Sequence, residues 1–150
     1  MNCEGLILLK TILLANHDAA VRTEQKDILA QNGYAVVGEA ESVEQSVEKF
    51  KELKPDLVIV DFHPEKFDCI KAIKAIKAID DNVTLVISSN FVSFGPVGEA
   101  IQLGVKGWTF TSPSCHAEML MQEVTRAFEN VCNNDSVAHG TRVPLNRNPF

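Results

Sequence analysis

This chain is constrained most by an alternation: short apolar runs, each followed by a segment of helical period, five times over. Residues 11–15 (TILLA), 57–60 (LVIV) and 83–87 (VTLVI) are near-continuous apolar runs, as expected of strands covered on both faces. Residues 34–37 and 108–110 are shorter β-rich pieces. The intervening segments carry helix punctuation. Asp18 is placed to cap a helix over AAVRTEQKDILAQ, which Asn32-Gly33 stops. Ser42, with Gln45 three residues on, forms a capping box for VEQSVEKFKEL, and Pro55 closes that helix. In FDCIKAIKAIKAID, Ile70, Ile73, Ile76 and Ile79 recur every three residues, a core stripe that drifts around the axis beside its lysines. Residues 96–103 read as a short helix stopped by Gly104, and 114–130 as an amphipathic helix with Met121, Val124 and Phe128 on one side. Alternation of this order implies an α/β domain with a five-stranded, doubly wound parallel sheet and right-handed crossovers. Residues 1–10 read as an N-terminal extension and 11–130 as the domain. Residues 131–150, rich in Asn with two prolines and no period, read as a flexible tail.

Composition narrows the partners. The 150 residues suffice for one domain with a real core, and 45% of them are apolar. A net charge of −6 with no basic cluster argues against nucleic acid and anionic membranes. MNCEGLILLK lacks the positive start of a secretion signal, Lys10 interrupts its apolar run, and no segment reaches the roughly 18 apolar residues a membrane span needs. Cys3, Cys69, Cys115 and Cys132 are scattered without paired spacing, the pattern of reduced thiols in a cytoplasmic protein, and Cys69 reads as a small buried residue on the third helix.

In doubly wound folds the working crevice lies beyond the carboxyl ends of the strands. Asp61 stands at such an end, after LVIV. Asn16-His17-Asp18, Ser88-Ser89 and Thr111-Ser112 follow other strands, so four loops should converge on one acid. Other chemistries lack a signature. Gly95-x-x-Gly98 is too little for a nucleotide loop, no Gly-rich cradle follows the first strand, and neither GxSxG nor HExxH occurs.

With these residues in place, the chain resembles the receiver domain of two-component response regulators, the CheY-like family. VVGEAESVEQSVEKFKELKPDLVIVD (36–61) is similar to the family's second strand, second helix and third strand, and AIQLGVKGW (100–108) to its fourth helix and fifth strand. The resemblance implies a flavodoxin-like (βα)5 sheet of order 2-1-3-4-5. It implies that Asp61 is the phosphoacceptor served by a histidine kinase, Ser88 the hydroxyl that contacts the phosphoryl group, and Trp108 the switch aromatic. It also exposes departures. The acid pair that helps bind Mg²⁺ is Asn16-His17 here, with Asp18 one place late. The fifth-strand lysine is replaced by Thr111, and Pro64 stands three residues after the aspartate instead of four.

Phosphoryl transfer to a carboxylate depends on positioning and on neutralising anionic oxygens. A carboxylate about 4 Å from a dication, at an effective dielectric near 20, gains roughly 8 kcal/mol before desolvation. Losing a quarter of that lowers affinity more than tenfold. Mg²⁺ binding is therefore expected to be weak or absent, with no other cofactor or metal. The expected function is a stand-alone pseudo-receiver that signals by protein–protein interaction. Its partner would be a histidine kinase or another signalling protein, meeting the 100–128 surface with Lys106 and Trp108, or the loop Phe91-Val92-Ser93-Phe94; a homodimer is a further option. Two alternatives stay open: a working phosphoacceptor in a phosphorelay, with Asp18 bending back to replace an acid, and a metal- or thiol-dependent sensor using His17, His63, Cys115 and His116. After the last helix about 20 residues remain, too few for a DNA-binding output domain.

Overall fold

A computed structural model describes residues 9–89, 97–111 and 116–136. Strand and helix alternate five times: β1 (Thr11–Ala15), α1 (Ala19–Gln31), β2 (Ala35–Ala40), α2 (Val43–Leu53), β3 (Leu57–Phe62), α3 (Cys69–Ile79), β4 (Thr84–Ser89), α4 (Val97–Gln102), β5 (Gly107–Phe110) and α5 (His116–Ser136). All strand pairs are parallel, in the order β2-β1-β3-β4-β5. The expected doubly wound sheet and its 2-1-3-4-5 order are the ones observed.

The inner strands explain their own composition. Every residue of β4 is buried, as are the first five of β3, because helices cover both faces. Side chains alternate between two apolar layers. Val58, Val60, Leu85 and Ile87 meet α2 and α3 through Phe50, Ala72, Ile73 and Ile76. Leu57, Ile59 and Val86 meet α1 and α5 through Leu29, Leu120, Val124 and Ala127. At roughly 25 cal/mol per Å² of apolar surface, burial of such a side chain contributes about 1.5–3 kcal/mol. The three-residue repeat of α3 drifts as geometry requires: Ile73 and Ile76 are fully buried, whereas Ile79 is 43% exposed.

Local signals work as expected, with small differences. Asp18 Oδ1 accepts the N–H groups of Ala20 (2.9 Å) and Val21 (3.4 Å) and so caps α1. Gly33 takes a left-handed φ of 89° after that helix. Ser42 Oγ accepts the Gln45 N–H at 3.1 Å, but Gln45 Oε1 accepts from Glu41, one residue before the cap residue itself. The second strand starts and ends later than residues 34–37. Its register slips opposite Ile12 and Leu13, leaving Val37 as the extra residue of a bulge on the sheet edge. Gly38 follows, where a Cβ would lie 2.5 Å from Leu53 Cδ1. The last helix continues to Ser136, six residues past the boundary at 130 read from the sequence. The remainder of the expected tail, most of the N-terminal extension, the 91–94 loop and Cys115 lie outside the described residues.

Candidate functional site

The carboxyl ends of β1, β3 and β5 and the start of α1 enclose a cleft of about 220 Å³. It is lined by Asn16, His17, Asp18, Val21, Asp61, His63 and Thr111. Of the strand ends expected to converge, those carrying Asn16-His17-Asp18, Asp61 and Thr111 line this cleft, and Ser88-Ser89 does not. Asp61 is 5% exposed. His17 Nδ1 stands 2.5 Å from Asp61 Oδ2, and the His17 backbone N–H lies 3.4 Å from the same oxygen. Burial pushes the Asp61 carboxyl above the ordinary carboxylate range, and the hydrogen bond from His17 opposes that push.

Each neighbour is held by its own segment. Asn16 is buried; its side-chain carbonyl accepts the Asp18 N–H at 2.8 Å, and its backbone carbonyl accepts Arg22 Nη1–H at 2.6 Å. Arg22 also donates to Glu39 at 2.8 Å, holding the Glu39 carboxyl below its usual range and tying α1 to β2. Thr111 lines the cleft and is fixed by its backbone N–H, which donates to the Ser89 carbonyl at 3.0 Å. The His63 ring meets His17 edge to face, with centroids 4.7 Å apart. His63 Nδ1 accepts the backbone N–H groups of Glu65 and Lys66, both at 3.1 Å, so the ring's proton sits on Nε2. Among the described residues, no Lys or Arg lines this cleft.

Two expected site residues are not among those lining the cleft. Ser88 is the register neighbour of Asp61 and fully buried, but it does not line the cleft. Its Oγ accepts from Gln25 Nε2 at 2.9 Å. Trp108 pairs with Ile87 and packs on the α2/α3 layer, whereas Asp61 follows the alternation of Leu57 and Ile59 toward the other face. His116, named with His17 and His63 for a metal-sensor reading, opens α5 with 1% exposure. Its Nε2 lies 3.3 Å from Gln25 Nε2 and its Nδ1 3.2 Å from Glu24 Oε1. Among the described residues, no three His, Cys, Asp or Glu side chains gather so as to hold a metal ion. Of the residues named for the metal-sensor alternative, His17 and His63 line the cleft, His116 meets α1, and Cys115 lies outside the described residues. Cys69 is buried as expected, and burial pushes its thiol up to about 12.

Gln25 is the residue that sequence reasoning missed. It is fully buried, and its Oε1 has no hydrogen-bond partner. The signal was present: Val21, Gln25 and Leu29 fall at i, i+4 and i+8 on one helix face, a polar residue on an inward stripe.

Fold and site together define a class: a five-stranded parallel α/β domain with one buried aspartate at the end of its central strand, ringed by loops from the neighbouring strands. Comparison with known proteins places the chain within that class. Residues 12–124 match the response regulator receiver domain, and the chain belongs to that family. It is 40% identical over 97 residues to the chemotaxis protein CheY of Thermotoga maritima, covering 65% of this chain and 81% of that one. With CheY of Bacillus subtilis the identity is 43% over 95 residues, 63% and 79% of the two chains. Among solved structures, the response regulator domain of Thermotoga maritima CheB superposes with a TM-score of 0.66 at 24% identity, over 87% of this chain and 98% of that one. CheY in the CheX-CheY-BeF3-Mg complex of Borrelia burgdorferi superposes with a TM-score of 0.73 at 20% identity, over 79% and 89%. At such identities these superpositions speak to the fold alone.

Proposed function

We propose that this receiver domain is a pseudo-receiver: a protein-binding module whose Mg²⁺-dependent phosphorylation on Asp61 is impaired. One observation carries the reading. His17 fills the place beside Asp61 where the family resemblance puts a metal-binding acid, with Nδ1 2.5 Å from the carboxylate. The other donors fit a hard cation poorly. Mg²⁺ wants oxygen ligands in near-octahedral geometry, yet the Asn16 carbonyl oxygen accepts the Asp18 N–H, and Asp18 Oδ1 is committed to the cap of α1. Thr111 supplies a hydroxyl where the resemblance puts a lysine, so among the described residues no fixed cation lines the cleft to stabilise a transferring phosphoryl group. Ser88, the proposed phosphoryl contact, is engaged by Gln25.

Output then runs through contacts of the kind that the CheX–CheY complex makes for its own chains. The 100–128 surface is the proposed meeting place, for a histidine kinase, another signalling protein or a second copy. It carries Ile101, 64% exposed, and the half-buried Trp108. A cytoplasmic location goes with this reading; no helix among the described residues is long and apolar enough to cross a membrane. Trp108 is the only tryptophan and provides the test. Mg²⁺ with beryllofluoride is expected to leave its fluorescence unchanged in the native chain. The same titration is expected to give a saturable response in Asn16→Asp/His17→Asp/Thr111→Lys. A saturable response of the native chain that Asp61→Asn abolishes overturns the proposal in favour of a working phosphoacceptor.

A further inference from the structure

We propose that His17 is itself a phosphoryl-accepting residue, through Nε2, with Asp61 as its positioning partner. The inference does not depend on magnesium chemistry at Asp61. The observation behind it is the hydrogen-bonded pair. Nδ1 of His17 is taken by Asp61 Oδ2 at 2.5 Å, which fixes the proton on Nδ1 and leaves the lone pair on Nε2. A buried carboxylate that holds an imidazole by one nitrogen orients the ring and stabilises the positive charge that develops when the other nitrogen attacks. Three further features suit a nucleophile. The His17 side chain is 24% exposed while Asp61 is shielded, so a donor reaches the ring before it reaches the acid. The ring lines a cleft of about 220 Å³, room for a phosphoryl group. The edge-to-face contact with His63 at 4.7 Å, and the backbone bond from His17 N–H to Asp61, hold the ring's orientation.

The donor class is a small N-phosphoryl compound. His17 Nε2 attacks phosphorus, the Nε2–P bond forms, and the donor's P–N bond breaks. With phosphoramidate, whose nitrogen is already protonated, ammonia departs carrying that bond's electron pair. The ring gains one positive charge, its Nδ1–H stays on Asp61, and no oxidant or further proton source is required. The carboxylate that faces the ring meets this charge, so no metal is called for.

The experiment incubates the full chain with phosphoramidate in EDTA and follows it by phosphorus NMR and by mass mapping of the four histidines. The expected result is an acid-labile, alkali-stable label that forms first on His17 Nε2. It should form about tenfold or more faster than on His139, which serves as the internal control, a modest share of the gain general-base positioning provides. Asp61→Asn and Asp61→Ala are expected to bring His17 down to the control rate, with far-ultraviolet dichroism confirming the fold. Labelling at Nδ1, labelling of His17 no faster than His139, or a rate indifferent to both Asp61 variants overturns the proposal. A hydroxylamine-sensitive, alkali-labile label on Asp61 assigns the acceptor to the acid instead and also overturns it.

Discussion

Replacing Asp61 by Asn should make this protein more stable at neutral pH. The carboxyl is 5% exposed, and its Oδ2 is met by His17 Nδ1 at 2.5 Å and, more weakly, by the His17 backbone N–H at 3.4 Å. Removing an ionised carboxylate from water costs several kcal/mol, and a hydrogen bond to a charged group returns about 1.5–3 kcal/mol. Burial dominates, since the carboxyl is held above its ordinary value of 3.8 despite the hydrogen bond from His17. Asparagine keeps an oxygen that accepts from Nδ1–H and removes the charge, so a gain of about 1–2 kcal/mol is expected. Unfolding entropy near 2.1 cal/mol/K per residue, over a domain of about 125 residues, converts this to a Tm rise of roughly 4–8 °C. The pH dependence has a definite sign. A raised folded-state pKa means that the folded protein holds this proton more tightly than the unfolded one. The cost of the carboxylate is therefore full above the folded pKa and fades as pH falls through that pKa toward 3.8. Urea melts of both proteins between pH 4 and 8 test this, with the largest gap at the alkaline end. An Asn variant less stable at pH 7, or a gap that does not narrow toward pH 4, refutes the reasoning.

Further outcomes follow from the same geometry. Ile73→Ala should lower stability by about 2–5 kcal/mol and Ile79→Ala by less than about 1, because the first is fully buried and the second 43% exposed; chemical denaturation separates them. Gln25→Ala should cost about 2–4 kcal/mol by leaving the Ser88 hydroxyl and the His116 ring without their donor, and Gln25→Met should recover only the volume-dependent part of the loss in the same melts. Asp18→Ala should cost about 1 kcal/mol, since two helix N–H groups lose their acceptor, whereas Asp18→Asn or Asp18→Ser should recover most of it; calorimetry distinguishes these.

The fold was legible because local and long-range signals agree. Runs such as LVIV and VTLVI have only one use in an alternating chain, and caps at Asp18 and Ser42 mark where the helices begin. Strand ends were less legible. Pairing and the bulge at Val37 decide where β2 runs, and neither is written in the β-propensity of residues 34–37. At the site, strand-end position was enough to gather Asn16, His17, Asp61 and Thr111 into one cleft. It did not tell where side chains point once there. Ser88 shares a sheet face with Asp61, yet its hydroxyl, like the His116 ring, meets Gln25. A polar residue on the inward stripe of α1 was the available clue, and its partners on β4 and α5 are 63 and 91 residues away along the chain.

Why the acid at position 61 survives with so few partners follows from how charge is shared at this end of the sheet. A second carboxylate beside it would face the same burial, with no cation among the described lining residues to offset it. Among the described residues Asp18 is the other carboxylate lining the cleft, and its Oδ1 is drawn off by the first turn of α1, where two backbone N–H groups and the positive end of the helix dipole hold it. His17 then meets Asp61 with a ring donor and a backbone donor from a single residue. That arrangement meets the buried carboxylate with two donors from one neighbour. It also leaves the ring of His17, rather than the acid beneath it, as the more exposed of the two groups.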